Sequence, residues 1–238
     1  MQASFARYDS PSFFRDGRVA RVRVKICGIT RPSDAEAAAL AGADAIGIVF
    51  YPKSPRFTDT GAAREIAAAL GAFVTTVALF VNPEAEEVER VVSVLRPGLL
   101  QFHGDESPAF CERFGLPYMK VLRVGTEALD ASVLSSHPSA AALLLDTLDT
   151  RQHGGTGRRF DWSLVPREAP RPLVLAGGLD AANVESAIHA LRPWAVDVSS
   201  GVETAPGRKD PGKIEEFMRA VARANAALPG PDAGADAV

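Results

Sequence analysis

The stretch VRVKICGIT, Val22–Thr30, decides between the two parallel-sheet folds that the rest of the sequence allows. A short apolar run ends at Cys27, a glycine follows, and the chain becomes polar at once. An open, doubly wound sheet usually carries a GxGxxG turn after its first strand, and CGIT does not have that pattern. The stretch therefore favours a closed barrel, and Cys27 is either an ordinary buried thiol or a group placed for chemistry.

From Val22 onward, short runs of Val, Ile and Leu alternate with segments of helical spacing. Strands that are apolar throughout and alternate with helices are typical of a parallel sheet covered on both faces. Eight such units over roughly 205 residues predict an α/β protein with a single (β/α)8 TIM barrel, and an open doubly wound sheet is the alternative. The predicted strands are Val22–Ile26, Ala45–Phe50, Phe73–Val81, Gly98–Phe102, Tyr118–Val124, Ala141–Thr147, Pro172–Gly177 and Ala195–Ser200.

Residues that favour helix starts precede most of the segments between these strands. Ser33 is predicted to cap the first helix, and Asn82-Pro83 and Ser107-Pro108 are predicted to open the third and fourth. After strand six only a turn or a short helix is predicted. The remaining helical ranges are Asp59–Gly71, Thr126–Ser135, Asp180–Leu191 and Pro211–Ala226, with the short element at Phe160–Val165.

The composition is that of a globular protein and argues against several classes of function. The formal net charge of -3 argues against a general nucleic-acid binder, and no apolar run approaches the roughly 18 residues that span a membrane. Cys27 and Cys111 are far apart, which predicts no disulfide framework and fits a reducing, cytoplasmic location. The scattered histidines show no metal-ligand spacing, so no metal site is predicted.

The two ends of the chain differ in composition from its middle. Residues 1–20 are polar and lack the continuous apolar region of a secretory signal, so they are predicted to be a mobile extension. Residues 229–238 are rich in Pro, Gly and Ala and are predicted to be a disordered tail. The catalytic barrel domain is therefore predicted to span residues 21–228.

Catalytic side chains of (β/α)8 barrels project from the carboxyl ends of the strands and from the loops that follow them. In this sequence those positions hold Cys27 after strand one, Arg56 in the loop after strand two and His103 after strand four. Asp146 ends strand six, and Asp197 lies near the end of strand eight. Because the strand ends converge on one mouth, we expect these residues to be neighbours.

Two loops rich in glycine and serine predict a phosphate site. AGGLDAANV places Gly177 and Gly178 directly before a predicted helix, where backbone N–H groups and the helix dipole attract an anion. DVSSGVE adds Ser199, Ser200 and Gly201 after the next strand. Either loop alone is explained as well by an ordinary turn, but barrels frequently bind phosphate with the loops after strands seven and eight. The occurrence of both loops after adjacent strands therefore favours a phosphate-binding site.

Asp146 and Cys27 are candidates for acid–base chemistry, and each has a purely structural alternative. A partly desolvated carboxyl at a strand end acts as a general acid near neutral pH, unless neighbouring N–H groups simply satisfy it. A thiol acts as a base or nucleophile when nearby cations or N–H donors lower its pKa. Without such groups it only fills space in the core. Lys25, two residues before Cys27, shares its face of strand one.

Arg56 and the segment TLDTRQHGGTGRRFD, between Asp146 and Trp162, complete the predicted mouth. Arg56 is suited to bidentate pairing with a substrate carboxylate, and the alternative is a solvated loop arginine. The segment is rich in glycine and charge and is interpreted as a mobile flap, with a merely disordered loop as the alternative.

With these residues assembled, the chain from Val22 to about Ala226 resembles the phosphoribosylanthranilate isomerases of tryptophan biosynthesis. Seven motifs occur in that family's order, which is a far more specific signal than any one of them. One departure is Phe102, where the family usually has leucine, and it either reshapes the anthranilate pocket or packs outward. The motifs are KICGIT (Lys25–Thr30), SPR (Ser54–Arg56), QFHGDE (Gln101–Glu106), LLLDT (Leu143–Thr147), GGTGRRFDW (Gly154–Trp162), LAGGLDAANV (Leu175–Val184) and DVSSGVE followed by PGRKD (Asp197–Glu203, Pro206–Asp210).

The resemblance implies an isomerase that converts N-(5-phosphoribosyl)anthranilate to 1-(2-carboxyphenylamino)-1-deoxyribulose 5-phosphate by a cofactor-free Amadori rearrangement. It implies that Asp146 is the general acid that protonates the furanose ring oxygen and opens the ring to a Schiff base. It implies that Cys27 is the general base that then removes the proton from C2 of the sugar. Arg56 matches the arginine for the anthranilate carboxylate, and the loops at Gly178 and Ser200 match the phosphate site.

Other expectations follow for ligands and partners. His103 and Asp197 are counted among the substrate-binding residues. The substrate is expected to be a small phosphosugar–anthranilate molecule, with no nucleic-acid or membrane partner, and the chain is expected to be a monomer, with a dimer as the alternative. Two other functions remain open: a sugar-phosphate barrel of another kind, such as a ribulose-phosphate epimerase or a histidine-pathway isomerase, and a non-catalytic phosphosugar-binding protein.

Overall fold

The structure is a computed structural model that describes residues 21–127, 129–147, 161–166 and 169–228. Its eight parallel strands are β1 (Arg23–Cys27), β2 (Ala45–Val49), β3 (Thr75–Phe80), β4 (Leu99–Phe102), β5 (Tyr118–Val124), β6 (Ala142–Thr147), β7 (Leu173–Leu175) and β8 (Ala195–Val198). They hydrogen-bond in chain order, and β8 pairs with β1, so the sheet closes. The predicted (β/α)8 barrel is confirmed.

Three predicted features lie outside the described residues. They are the N-terminal extension at residues 1–20, the C-terminal tail at residues 229–238 and most of the predicted flap, residues 148–160. They therefore remain predictions.

Seven helices lie among the described residues, on the outside of the barrel. They are α1 (Pro32–Leu40), α2 (Thr60–Ala68), α3 (Ala85–Leu95), α4 (Pro108–Glu112), α5 (Ala131–Leu134), α6 (Val184–Leu191) and α7 (Pro211–Ala227). None of these helices is long and apolar enough to cross a membrane. A 3-10 turn at Trp162–Leu164 follows β6, where a turn or a short helix was predicted.

Several helix starts follow the side-chain chemistry that the sequence predicted. The carboxylate of Asp59 accepts hydrogen bonds from the N–H groups at the start of α2, and the hydroxyl of Ser107 does so at α4. Asp210 caps α7, which begins at Pro211 as predicted. These caps satisfy N–H groups that otherwise lack an intrahelical partner.

Other predicted starts were wrong. Helix α1 begins at Pro32, so Ser33 lies inside the helix and is not its cap. Helix α3 begins at Ala85 because Asn82 adopts a left-handed conformation (φ 46°) and its Oδ1 accepts a hydrogen bond from the N–H of Asp105. The helices predicted to begin at Thr126 and Asp180 also begin later in the chain, at Ala131 and Val184.

A small antiparallel hairpin after β8 was not predicted. A 3-10 turn at Ser200–Val202 leads into β9 (Glu203–Ala205), which pairs with β10 (Arg208–Lys209). The turn between the two strands contains Gly207, which adopts a positive φ of 79°. The hairpin brings the motifs DVSSGVE and PGRKD together beside the mouth of the barrel.

Alternating side chains of the strands divide the core into an outer layer and an interior layer. Phe102 belongs to the outer layer: it is fully buried, stacks with Phe80 at 6.0 Å between ring centroids and contacts Phe110 and Phe114. Phe102 is not among the residues that line the mouth, so of its two predicted roles the structure supports outward packing.

Pairing registers around β1 determine which interior side chains meet. Lys25 lies across from Asp197 on β8, and Cys27 lies across from Gly47 on β2. Because β1, the first strand, pairs with β8, the last, barrel closure places residues 172 positions apart in direct contact.

Candidate active site

A pocket opens at the carboxyl ends of the strands, and most of the predicted site residues line it. Gly201 does not: it packs against the carbonyl of Leu179, where a Cβ would overlap, and so holds the loop after β8 against the loop after β7. The predicted residues that line the pocket are Cys27, Arg56, His103, Asp146, Gly177, Gly178, Asp197, Ser199 and Ser200.

Cys27 ends β1 and is buried in the barrel interior, against the apolar side chains of Val49, Leu79 and Val81. Burial raises the pKa of the thiol, and the nearby Lys25 lowers it only in part, so the pKa of Cys27 lies above its usual range. The neutral thiol is therefore the resting form, and any cation close to the sulfur favours its conversion to the thiolate.

Lys25 is the cation closest in sequence and in space to this thiol. Its Nζ donates a hydrogen bond to Asp197 Oδ1 at 2.8 Å, and it also interacts with Cys27 by charge and hydrogen bonding. Burial opposes the charge of this lysine, but Asp197 and Cys27 offset it and raise the pKa of Lys25. Asp197, predicted to bind substrate, thus has a first partner within the protein.

Gly47 makes room for this pair, and it is not among the predicted site residues. A Cβ on residue 47 would lie 2.8 Å from Cys27 Sγ, closer than real side chains approach, and 3.0 Å from Lys25 Nζ, which is unusually tight. The available signal was a glycine inside the otherwise apolar strand AIGIV, because a strand glycine often marks a close approach by another group.

Asp146 projects into the pocket from the end of β6, three strands away from Cys27 around the ring. Its Oδ1 accepts a hydrogen bond from the N–H of Thr147 at 2.8 Å, and its Oδ2 lies 3.4 Å from His103 Nε2. Both side chains are buried, so His103 restricts where the carboxyl points. The structure brings together these two residues, which the sequence separates by 43 positions.

A buried carboxylate holds the loop that carries His103. Glu106 accepts hydrogen bonds from the N–H groups of Asn82 at 2.8 Å and Gly104 at 3.0 Å. Lys120 on β5 donates to Glu106 at 2.8 Å, and it also bonds the carbonyl of Gly104. This network gives a structural role to two residues of the motif QFHGDE, the glycine directly after the histidine and the glutamate two residues further on.

Arg56 is buried and lines the pocket, so it is not the solvated loop arginine that the sequence left as the alternative. Its Nε and Nη2 donate to the two oxygens of Glu203 at 2.8 and 2.7 Å. Lys209 Nζ donates to the same carboxylate at 2.7 Å. The partners Glu203 and Lys209 lie in the motifs DVSSGVE and PGRKD, and neither residue had a predicted role.

The loops predicted to bind phosphate both reach the pocket. Gly177 and Gly178 have positive φ values of 85° and 64°, which only glycine adopts without strain. A Cβ on Gly177 would lie 2.8 Å from the main-chain nitrogen of Thr147, so this loop packs directly on the end of β6. Helix α6 does not follow the glycines directly, because a turn at residues 180–183 precedes it and Asn183 donates to the carbonyl of Gly178 at 2.9 Å.

Gln101 is a further lining residue that the prediction left out of the site. It is 1 % exposed, and its Oε1 has no hydrogen-bond partner within the part of the chain that the structure describes. Next to it lies an apolar wall of Val49, Leu79 and Val81. A pocket with an apolar wall and convergent polar groups is typical of a site for a small organic ligand.

The arrangement combines an acid–base pair with two regions suited to anions. Asp146 and Cys27 approach the pocket from different strands, the glycine and serine loops lie on one side, and Arg56 lies beyond Cys27 in the loop after β2. Among the described residues, no group of three or more His, Cys, Asp and Glu side chains is arranged to hold a metal ion.

Comparisons with known proteins identify relatives over nearly the whole described chain. The sequence model of the family described as N-(5'phosphoribosyl)anthranilate (PRA) isomerase matches residues 24–220. The N-(5'-phosphoribosyl)anthranilate isomerase of Nitrosospira multiformis is 53% identical over 202 residues, which is 84% of this chain and 96% of that protein.

Solved structures agree with these sequence matches. The crystal structure of phosphoribosyl anthranilate isomerase from Thermotoga maritima superposes with a TM-score of 0.76 at 40% identity, covering 85% of this chain and 99% of that one. A second crystal structure, of a phosphoribosyl anthranilate isomerase in complex with reduced 1-(o-carboxyphenylamino)-1-deoxyribulose 5-phosphate, has a TM-score of 0.69 at 37% identity over 85% of this chain and 99% of that one.

Proposed function

Because this chain belongs to the N-(5'-phosphoribosyl)anthranilate isomerase family, we propose that its pocket performs the family's reaction with Cys27 as general base and Asp146 as general acid. The chain is an enzyme of tryptophan biosynthesis that converts N-(5-phosphoribosyl)anthranilate to 1-(2-carboxyphenylamino)-1-deoxyribulose 5-phosphate. The observation that carries the assignment of roles is that both side chains line one pocket, from strands β1 and β6.

In the first step, Asp146 donates its proton to the ring oxygen of the ribose. The bond between that oxygen and C1 breaks, and the nitrogen lone pair forms the C=N bond of a Schiff base. The position of the carboxyl supports this role, because His103 and the N–H of Thr147 both restrict its orientation. A positioned acid is worth about 10²–10⁴-fold in rate.

In the second step, the Cys27 thiolate removes the proton from C2 of the sugar. The electrons of the C–H bond form the C1–C2 double bond and neutralise the nitrogen, which gives an enolamine. A proton added to C1 and the loss of the proton from the C2 hydroxyl then yield the ketone. Lys25 supports this role because its charge stabilises the thiolate. Reactant and product are isomers, so the reaction moves only protons and electron pairs and consumes no cofactor.

The two ends of the substrate carry negative charge, and the pocket offers a region for each. We assign the phosphate to the main-chain N–H groups and hydroxyls around Gly178, Ser199 and Ser200, and the anthranilate carboxylate to Arg56. The apolar wall beside Cys27 fits the aromatic ring between the carboxylate and the sugar. This placement leaves C1 and C2 of the sugar between the acid and the base.

To test this function, freshly prepared phosphoribosylanthranilate is added to the purified protein and the loss of substrate fluorescence is followed. Free anthranilate is measured in parallel to detect hydrolysis of the substrate. We expect rapid loss without release of anthranilate, and a reduction of about 10²–10⁴-fold in Cys27→Ala and in Asp146→Asn. Cys111→Ala is the matched control, because Cys111 is also buried but lies on α4 and does not line the pocket. Full activity in Cys27→Ala would exclude the thiol as base.

Full activity in Cys27→Ala would favour the epimerase-like alternative, in which two carboxylates act as acid and base. Besides Asp146, Asp197 is the carboxylate among the described residues that line the pocket, and it already forms an ion pair with Lys25. An unaltered substrate in all variants and in the wild-type protein would support a non-catalytic binder instead.

Location and assembly complete the proposal. A cytoplasmic location is supported by the two cysteines, which are both free and buried. The chain is proposed to be a monomer, with a dimer as the alternative, and sedimentation of the purified protein would distinguish the two.

A further inference from the structure

The guanidinium of Arg56 has two edges that can each bind a carboxylate in bidentate fashion. One edge presents Nε and one terminal nitrogen, and the other presents the two terminal nitrogens. Glu203 occupies the first edge, through Nε at 2.8 Å and Nη2 at 2.7 Å. Within the described part of the chain, the other edge makes no hydrogen bond, and it is the edge left for a ligand in the pocket.

The pairing with Glu203 creates an electrostatic problem for that role. An arginine and a glutamate together carry no net charge, and a neutral pair attracts a substrate carboxylate far less than a lone arginine does. Both side chains are buried, with 10% and 5% of their surfaces exposed, so water screens this cancellation only weakly. The first partner of Arg56 would therefore weaken the anion site that Arg56 forms.

Lys209 restores the missing charge. Its side chain is fully buried, and Nζ donates to Glu203 Oε1 at 2.7 Å and to the carbonyl of Ser199 at 3.1 Å, with the hydroxyl of Ser199 at 3.5 Å. Burial lowers the pKa of Lys209 and Glu203 raises it in part, but three acceptors around Nζ match the three N–H donors of an ammonium group. Arg56, Glu203 and Lys209 together then carry a net charge of about one positive unit.

Neighbouring charges do not cancel this excess. Lys25 is paired with Asp197, and Arg31 is paired with Asp34, so each of these pairs is balanced. The main-chain N–H of Lys209 also donates to Asp34 at 3.1 Å, which anchors β10 and fixes the position of the lysine.

We propose that Lys209 is a specificity-determining residue that does not touch the substrate: it offsets Glu203, so that Arg56 can be held rigidly and still carry the charge that binds the anthranilate carboxylate. This inference rests on the proposed function. It explains why a buried lysine follows the phosphate loop in the motif PGRKD, and why the hairpin of β9 and β10 joins the two motifs.

The test measures the preference for the carboxylate rather than activity alone. kcat/KM is determined for N-(5-phosphoribosyl)anthranilate and for N-(5-phosphoribosyl)aniline, which lacks the carboxylate, and the ratio of the two is the readout. In the wild-type protein we expect a ratio of about 10–100, typical of a hydrogen-bonded charged group. In Lys209→Met the net charge of the three residues falls to zero, and the ratio should fall toward one.

A second substitution separates charge from structure. In the double variant Glu203→Gln/Lys209→Met, Arg56 alone carries the charge, the net charge returns to one positive unit, and the ratio should recover toward the wild-type value. A loss of structure lowers kcat/KM for both substrates and cannot produce this recovery. Lys213→Met is the matched control, because Lys213 is exposed and, among the residues that the structure describes, donates only to the main-chain carbonyl of Glu203, so its ratio should not change.

The outcomes separate this inference from the proposed function. Failure of the wild-type protein to convert either substrate overturns the function itself, and a wild-type ratio of one overturns the role of Arg56. A normal ratio in Lys209→Met, or a double variant with a lower ratio than Lys209→Met, overturns the inference about Lys209 alone. If Lys209→Met does not fold, Glu203→Gln should have a higher ratio than the double variant, and the reverse order overturns the inference.

Discussion

Cys27 and Gly47 face each other across strands β1 and β2, and the thiol occupies the space that any side chain at position 47 would need. The ammonium of Lys25 borders the same space, since a Cβ on Gly47 would lie 3.0 Å from its Nζ. A glycine in a neighbouring strand thus allows the proposed base and its nearest cation to lie side by side in the barrel interior.

Gly47→Ala is expected to reduce kcat/KM by about 10- to 100-fold, because the added methyl group must displace the thiol or the lysine by a fraction of an ångström or more. The barrel should still fold, since the atoms in the way are the ends of side chains and not backbone. The measurement is steady-state kinetics combined with thermal unfolding. Gly71→Ala is the control, because nothing lies within 4 Å of a Cβ there. Equal activity of the two variants would contradict the proposed contact.

Alkylation of Cys27 by iodoacetamide should be slow at neutral pH and accelerate with increasing pH, with a midpoint above 9, because burial raises the pKa of this thiol above 9.0. Lys25→Met should move the midpoint further up, since it removes a cation that stabilises the thiolate. Mass spectrometry of digested protein after timed labelling gives both rates. Cys111 serves as an internal reference, because burial raises its pKa to about 12. A midpoint that Lys25→Met leaves in place would remove the lysine from the role assigned to it.

His103→Leu should lower kcat by about 10- to 100-fold, because the carboxyl of Asp146 loses the ring nitrogen that lies 3.4 Å from it. His103→Gln retains an N–H donor of similar reach and should recover part of that loss. Initial rates over a range of substrate concentrations separate the two possible roles of this histidine. An increase in KM with an unchanged kcat would show that His103 binds substrate and does not position the acid.

Phe102→Leu, which introduces the residue usual in the family, should leave kcat/KM unchanged. It should lower the free energy of unfolding by about 1 kcal/mol, because Phe102 packs among Phe80, Phe110 and Phe114 outside the strands. Urea denaturation and kinetics on the same preparation test both halves of this prediction. A change in KM of more than a few fold would place this ring in contact with the ligand site after all.

Glu203 should contribute to stability above its usual pKa of 4.5 and lose that contribution as the pH falls below it. Burial opposes ionisation of this carboxyl, but the hydrogen bonds and charges of Arg56 and Lys209 outweigh it, so its pKa is lowered in the folded state. The difference in unfolding free energy between the wild-type protein and Glu203→Gln should therefore be largest near pH 7 and shrink below about pH 4.5. A difference that grows on acidification would mean that the buried carboxylate is destabilising.

The repeating pattern of apolar strands and helices was enough to predict the barrel, because burial of both faces of a parallel sheet requires that pattern along the chain. The pattern located helix starts less well: Ser33 and Asn82 both have the chemistry of caps, yet neither caps a helix. Asn82 instead bonds the N–H of Asp105 across the neighbouring loop, and a contact over 23 residues leaves no local signal in sequence.

The sequence by itself determined which residues could do chemistry and that they would meet. The strand ends are readable, a closed barrel brings them to one mouth, and nine of the predicted residues line one pocket there. Only the tertiary structure decided the partners of these residues: Asp197 for Lys25, Asp146 for His103, and Glu203 with Lys209 for Arg56. Charge balance in a buried site depends on distances of about 3 Å between residues far apart in the chain, and those distances are set by strand register and barrel closure rather than by any local pattern.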